Sequence, residues 1–186
     1  MRVIAGALKG RRLKSPAWDG LRPTSDKLRE TLFNILAPRI DGARVLDGYA
    51  GTGAIGIEAL SRGAAWVSFV DNDRRAQALI ADNLAHCGVA NGYVIIRATV
   101  AVALDDLGVA PAGTPGHFDI IVLDPPYDDP QVDTVVAAAG DVLAPDGVLV
   151  LEHARRRAAP AAAGRLARFR QVTSGDSTLS FYQLKN

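Results

Sequence analysis

Residues 44–56 read Arg44-Val45-Leu46-Asp47-Gly48-Tyr49-Ala50-Gly51-Thr52-Gly53-Ala54-Ile55-Gly56. Residues 44–47 read as a short strand, residues 48–53 as a glycine-rich loop, and Ala54 to Ser61 as a helix with Gly63 just past its end. Gly51-Thr52-Gly53-Ala54-Ile55-Gly56 matches G-x-G-x-x-G between strand and helix, an arrangement that lets backbone approach a nucleotide. Asp71 closes the next strand, Trp66 to Val70, 20 residues after Gly51. A carboxylate there can accept from the paired hydroxyls of a ribose. These features suit any adenosine-containing ligand, and Asp47 narrows the choice. A carboxylate four residues before Gly51 would repel a pyrophosphate. It suits a ligand with an ammonium group, met directly or through water. S-adenosylmethionine carries that ammonium together with adenine, ribose and a sulfonium. An Asx turn closing the loop is the competing reading of Asp47. Asp73 reads as a helix N-cap.

Outward from this stretch, strands and helices alternate, which implies a mainly parallel sheet. A helix spans Asp73 to Cys87, a third strand Tyr93 to Ile96, and a short helix roughly Val100 to Leu107. Residues 110–116, rich in Pro and Gly, read as a loop. The apolar run Phe118 to Leu123 is the fourth strand. It must stop at Asp124-Pro125-Pro126-Tyr127, because two consecutive prolines cannot donate to a sheet ladder. An acid, two rigid residues and an aromatic ring at a strand's C-terminal end form an active-site candidate, since open α/β sheets bind ligands there. A strand-stopping turn with an incidental Asp and Tyr is the plain alternative. Downstream come a helix from Gln131 to Leu143, a turn at Pro145-Asp146-Gly147 and a strand Val148 to Leu151. Two final strands, Arg165 to Val172 and Thr178 to Leu184, join at Ser174-Gly175-Asp176. The Ala-rich stretch 158–163 reads as a surface connection or short helix.

Upstream, residues 1–16 read as a β-hairpin or strand-like arm. The first thirty residues hold eight basic side chains against three acids, while the whole chain of 186 residues has a net charge of +1. The charge therefore divides into a basic arm and a net-acidic body. Arg2, Lys9, Arg11, Arg12, Lys14 and Arg22 are candidates for gripping nucleic-acid phosphates. A solvated basic face is the alternative. Thr24 or Ser25 caps a helix running to Ala37, with apolar Leu28, Leu32, Ile35 and Leu36 at helical spacing and Pro38 beyond its end. We divide the chain into an arm, residues 1–22, and a domain, residues 23–186. Trp18 and Trp66 read as packing residues. Cys87 is the only cysteine, which fits a reducing compartment. No apolar run reaches membrane-spanning length, and the N-terminus lacks an apolar signal region, so a cytoplasmic location is expected. His86, His117 and His153 lack metal-ligand spacing, and no metal is expected. The cluster Arg155-Arg156-Arg157 reads equally as nucleic-acid surface or solvated turn.

Assembled, these parts resemble a class I, Rossmann-like S-adenosylmethionine-dependent methyltransferase, and more closely the RsmD family of 16S ribosomal RNA guanine-N2 methyltransferases. The resemblance rests on Arg2-Val3-Ile4-Ala5-Gly6 with Gly10-Arg11-Arg12-Leu13, on residues 21–26 and 29–36, on Leu46 to Gly53 with Gly56 to Ala64, and on the Asp-Pro-Pro-Tyr turn. It implies a seven-stranded, mainly parallel sheet whose last strand is antiparallel. By position, Asp47, Gly51 and Gly53 would hold the methionyl end of the cofactor, Asp71 the ribose, residues around Thr99 the adenine, and Thr24 would lie near the cofactor. Two departures stand out. The family usually has a bulky residue where this chain has Gly48, which implies a more mobile loop. Thr99 stands nearest the place where many class I enzymes carry an acid for adenine.

The implied chemistry is methyl transfer to the exocyclic N2 of a guanine in small-subunit rRNA, naked or in an assembly intermediate, by a monomer. Asp124 and the Pro125 carbonyl would accept from the two amine hydrogens, Tyr127 would stack on the base, and Pro126 would keep the turn rigid. A DNA methyltransferase is the second reading, adenine-N6 ahead of cytosine-C5. A non-enzymatic RNA-binding assembly module is the third.

Overall fold

The structure is a computed structural model and describes residues 1–16, 18, 26–108 and 117–185. Arg22, Thr24, the Thr24 or Ser25 helix cap and the 110–116 loop lie outside the described residues. The helices are α1 (Asp26–Ile40), α2 (Ala54–Ser61), α3 (Arg74–His86), α4 (Val100–Gly108) and α5 (Val132–Ala139). The strands are β1 (Arg44–Gly48), β2 (Trp66–Asp71), β3 (Tyr93–Arg97), β4 (Phe118–Leu123), β5 (Leu143–Ala154), β6 (Ala162–Ala163), β7 (Leu166–Ser174) and β8 (Ser177–Leu184).

Among the described residues these form one eight-stranded sheet in the order β3-β2-β1-β4-β5-β8-β7-β6. Strands β3 to β5 pair in parallel, and β8 runs antiparallel between β5 and β7. The expected seven strands and the antiparallel last strand are present. The eighth, β6, is a two-residue edge strand at the end of the Ala-rich stretch that read as a connection or short helix. Strand order runs outward in opposite senses from β1 and β4, so the crevice between their carboxyl ends is the switch point where open sheets bind ligands.

Side chains alternate across the sheet with period two. Val45, Phe69, Ile120, Val122 and Val150 face α1, α2, α3 and the N-terminal arm. Leu46, Val70, Ile121, Leu123 and Leu149 face α4 and α5. The arm pairs through a single antiparallel bridge, Arg2 with Arg12, and buries Val3 and Leu13 in the same core as α1.

Several boundaries differ from expectation, among them the end of β5, which runs on to Ala154 rather than stopping at Leu151. Helix α1 continues past Ala37 to Ile40, with Pro38 in its last turn. Pro38 forgoes one backbone bond there, and the extra turn buries Ile40, worth about 1.5–3 kcal/mol. Helix α5 stops at Ala139, short of the expected Leu143, which instead opens β5 beside Phe118. The Pro145-Asp146-Gly147 turn is an irregularity inside β5, between the register pairs Phe118–Leu143 and Ile120–Val148.

Candidate active site

The register of the parallel strands decides where the acids go. Asp47 pairs with Phe69 on one side and with Val122 on the other, and Val122 pairs with Val150. Two residues further along their strands, on the same face, come Asp71, Asp124 and Glu152. Four carboxylates therefore stand on the α2–α3 side of the sheet around the β1/β4 switch point. All four line one cavity of about 860 Å³, within the roughly 300–1,000 Å³ common for small-molecule sites.

The glycine loop forms one wall. Gly51 and Gly53 both have positive φ, and Gly53 is the left-handed N-cap of α2. Gly51 lines the cavity together with Tyr49, Ala50 and Thr52, while Gly53 sits behind, against Ile80. Gly56 serves packing: a Cβ there would fall 2.2 Å from the Phe69 ring. Gly48 is not a loosening residue. It closes β1, and a Cβ would lie 2.6 Å from Leu123 Cδ2, so its small size lets β4 pack close. The special backbone belongs to Tyr49, the one non-glycine with positive φ among the described residues, at 63°. Its hydroxyl donates to Asp129 Oδ2 at 3.1 Å. Burial and the Asp129 charge push the phenol's pKa up.

Asp47 is buried, and its Oδ2 accepts from the Gly56 N–H at 2.8 Å. It thereby satisfies one orphan donor at the start of α2. Burial raises its pKa well above the ordinary carboxylate value. The Gly56 bond opposes that rise, and the charges of Asp124 and Asp71 add to it. Asp71 spans two backbone donors, accepting from Gly51 N with Oδ2 and from Asp73 N with Oδ1, each at 2.9 Å. Asp73 is the N-cap of α3, accepting from the Arg75 N–H at 2.8 Å.

The opposite wall is the turn after β4. The Asp124 N–H reaches Gly48 O at 3.4 Å, carrying the β1–β4 pairing to its last rung. Asp124, Pro125, Pro126 and Tyr127 all line the cavity. The Tyr127 hydroxyl sits 2.7 Å from Ser177 Oγ at the start of β8, which fixes the ring. Tyr127 also borders a second groove of about 580 Å³ shared with Asp176 and the exposed Arg155 and Arg156.

Thr99 does not line the cavity. Its Oγ1 accepts from the Val102 N–H at 3.4 Å, as a cap of α4. Trp18, read as packing, lines the mouth of the cavity, with the Arg75 guanidinium 5.0 Å from its ring. Cys87 is buried, with its thiol pKa raised by that burial, and lies away from the cavity.

The arm is clamped rather than tethered. Glu58 of α2 accepts from Ile4 N at 2.7 Å, Ala5 N at 3.0 Å and Arg62 Nε at 2.8 Å. Asn83 of α3 accepts from Lys14 N at 2.7 Å and donates to Thr52 O at 3.0 Å, linking the arm to the glycine loop. Buried Arg29 donates to Arg2 O and to Asp26. Arg2, Lys9, Arg11, Arg12 and Lys14 are left on the exposed side. Glu58, Asn83, Tyr49 and Glu152 were not singled out from sequence. Only Glu58 and Asn83 carried a signal, as polar residues on otherwise apolar helix faces.

The family profile described as Conserved hypothetical protein 95 matches residues 1–183. The chain belongs to this family, the RsmD family. The RsmD-family relatives include the Ribosomal RNA small subunit methyltransferase D of Escherichia coli, 34% identical over 98% of this chain and 89% of that one. The Haemophilus influenzae protein of the same name is 40% identical over 68% of this chain and 64% of that one. Among solved structures, Escherichia coli yhhF superposes with a TM-score of 0.82 at 34% identity, covering 100% of this chain and 98% of the other. A hypothetical protein of Thermus thermophilus gives a TM-score of 0.82 at 27% identity with 99% coverage of both chains.

Proposed function

We propose that this RsmD-family chain methylates the exocyclic N2 of a guanine in small-subunit ribosomal RNA. The coarser activity, S-adenosylmethionine-dependent methylation of ribosomal RNA, is that of the family. The observation that supports an exocyclic amine as the target is the shared cavity at the switch point, with a glycine loop and Asp47 on one wall and Asp-Pro-Pro-Tyr on the other. The choice of guanine in ribosomal RNA rests on the family resemblance and the basic arm.

The cavity's chemistry fits the cofactor. S-adenosylmethionine carries a sulfonium and an ammonium against one carboxylate, and Asp47, Asp71 and Asp124 make the cavity lining acidic for such a ligand. A pyrophosphate would meet the same acids as repulsion. Asp47 would face the ammonium and Asp71 the ribose hydroxyls, with Gly51 giving close backbone approach. When bound, the cofactor supplies a methyl group on positively charged sulfur.

The residues of the turn do the rest. A base amine is a poor nucleophile because its lone pair is delocalised into the ring. Asp124 and the Pro125 carbonyl accept from the two N–H groups and concentrate electron density on nitrogen. Positioning of this kind supplies about 7–11 kcal/mol. The amine's proton leaves to Asp124 or to water. Tyr127, held by Ser177, stacks on the extruded base for about 1–3 kcal/mol. The exposed arm arginines and lysines, with Arg155 and Arg156 beside Tyr127, would bind phosphates.

We further propose a monomer acting in the cytoplasm on naked RNA or an assembly intermediate. No described helix is long and apolar enough to cross a membrane. A cytosine-C5 reaction lacks its thiolate, since Cys87 is buried away from the cavity. The test offers labelled cofactor to unmethylated small subunits, naked rRNA and duplex DNA side by side. Label in the RNA samples supports the reading, and label in DNA alone overturns it.

A further inference from the structure

We propose that Glu152 selects guanine by accepting the N1–H of the target base beside Asp124. This rests on the guanine-N2 reading above and names the residue that would enforce it.

Leu123 and Leu151 are register partners in the parallel β4–β5 pair. Asp124 and Glu152 follow them directly, so they stand side by side at the carboxyl ends of neighbouring strands, about 4.8 Å apart in the pairing direction. Glu152 is only 5% exposed, yet lines the same cavity as Asp124, Pro125 and Tyr127. Asp47, proposed above to meet the cofactor's ammonium, stands on β1, whereas Glu152 stands two strands away on β5, on the far side of Asp124.

The Watson–Crick edges of the bases decide what such a pair accepts. Guanine presents N1–H and the N2 amine side by side, two adjacent donors for two adjacent carboxylates. Adenine and cytosine also carry an exocyclic amine, but beside it they present a ring-nitrogen lone pair. That lone pair would face the Glu152 carboxylate as acceptor against acceptor. The Asp-Pro-Pro-Tyr turn holds any exocyclic amine, and Glu152 admits the one whose neighbour is a donor. A site built around a buried acceptor rejects analogues lacking the donor far more strongly than a hydrophobic pocket rejects a change in size.

The test uses small-subunit RNA in which the guanine methylated by wild-type protein is replaced by 2-aminopurine. This base keeps the N2 amine and has a lone pair at N1. Single-turnover methyl transfer is compared for wild type and Glu152→Gln, with cofactor affinity measured in parallel. Wild type should methylate 2-aminopurine at least about 100-fold more slowly than guanine. Glu152→Gln should slow guanine by a similar factor, narrow the guanine/2-aminopurine ratio to within about tenfold, and bind cofactor as wild type does. Equal wild-type rates on the two bases overturn the proposal whatever the variant does. An unchanged ratio in Glu152→Gln, or loss of cofactor binding, also overturns it. Wild-type methylation of guanine with any of these outcomes leaves the guanine-N2 reading standing; methylation of another base brings down both.

Discussion

Asp47 bonds the Gly56 N–H, so the carboxylate proposed to meet the cofactor also pins the first turn of the helix behind the glycine loop. Its raised pKa fixes the sign of its effect on stability. Between the unfolded value near 3.8 and the higher folded value, the folded chain holds a proton the unfolded chain has lost. Stability from this group therefore falls as pH rises through that window, and burying an ionisable carboxyl here is a net cost. Asp47→Asn keeps an acceptor for Gly56 and removes the charge. Thermal denaturation at neutral pH should show an unchanged or higher Tm, by about 2–4 °C for each kcal/mol. Calorimetry should show S-adenosylmethionine affinity reduced about 10–100-fold. A lower Tm with unchanged affinity would make Asp47 purely structural.

Gly6 and Gly10 of the arm share almost the same φ, +81° and +84°, but not the same surroundings. A Cβ on Gly6 would lie 1.8 Å from the Ser61 carbonyl oxygen, whereas nothing stands within 4 Å of one on Gly10. Gly10→Ala should cost only the left-handed penalty, about 1–2 kcal/mol. Gly6→Ala should cost more, and should also speed amide hydrogen exchange at Ile4, Ala5 and Ala7, which bond Glu58 and Ser61. Equal costs by urea denaturation would mean the arm is not clamped at Ser61.

Arg2 and Arg12 are bridge partners, so their exposed side chains share one face of the arm. Replacing both with Ala should weaken RNA binding and flatten the dependence of log K on log salt by about 0.7–0.9 per lost phosphate contact. Cofactor affinity should not change. An unaltered slope in a filter-binding titration would place the RNA elsewhere.

His153 is buried, with Nδ1–H donating to Ala154 O at 2.9 Å and Nε2 accepting from the Ser180 hydroxyl at 2.8 Å. Burial first, then the charges of Arg157 and Arg168, lower its pKa; the Ala154 bond opposes them. A base with a lowered folded pKa stabilises fully above the unfolded value, near 6.5, and loses that contribution as pH falls through the window below it. The His153 share of the stability, read as the difference between wild type and a His153→Gln variant, should therefore fall from pH 7 to pH 5, with a slope bounded by about 1.4 kcal/mol per pH unit. A His153→Gln variant should lose that part of the pH dependence.

The sheet, the loop and the turn were legible because each rests on a local signal: apolar runs bounded by Gly or Pro, and acids at strand ends. The Asp73 N-cap was read correctly for the same reason. What escaped depended on pairing between distant segments. Leu143 joins β5 only because Phe118 is there to pair with it. Glu58 reads as one more polar residue on a short helix until the chain's first residues are seen to end on it. Gly48 read as slack and is a close contact, since Leu123 comes from 75 positions away. Glu152 gained meaning only from the register that sets it beside Asp124.

The central claim is that Asp124 holds a guanine amine for methylation, and its most direct test is the identity of the product nucleoside. Unmethylated small subunits are treated with labelled cofactor and wild-type or Asp124→Ala protein, then digested for nucleoside mass spectrometry, with cofactor binding checked for both proteins. The account predicts N2-methylguanosine from wild type, and a rate at least about 100-fold lower from an Asp124→Ala protein that still binds cofactor. A methyl group on any other position, or near-wild-type transfer by Asp124→Ala, would contradict it.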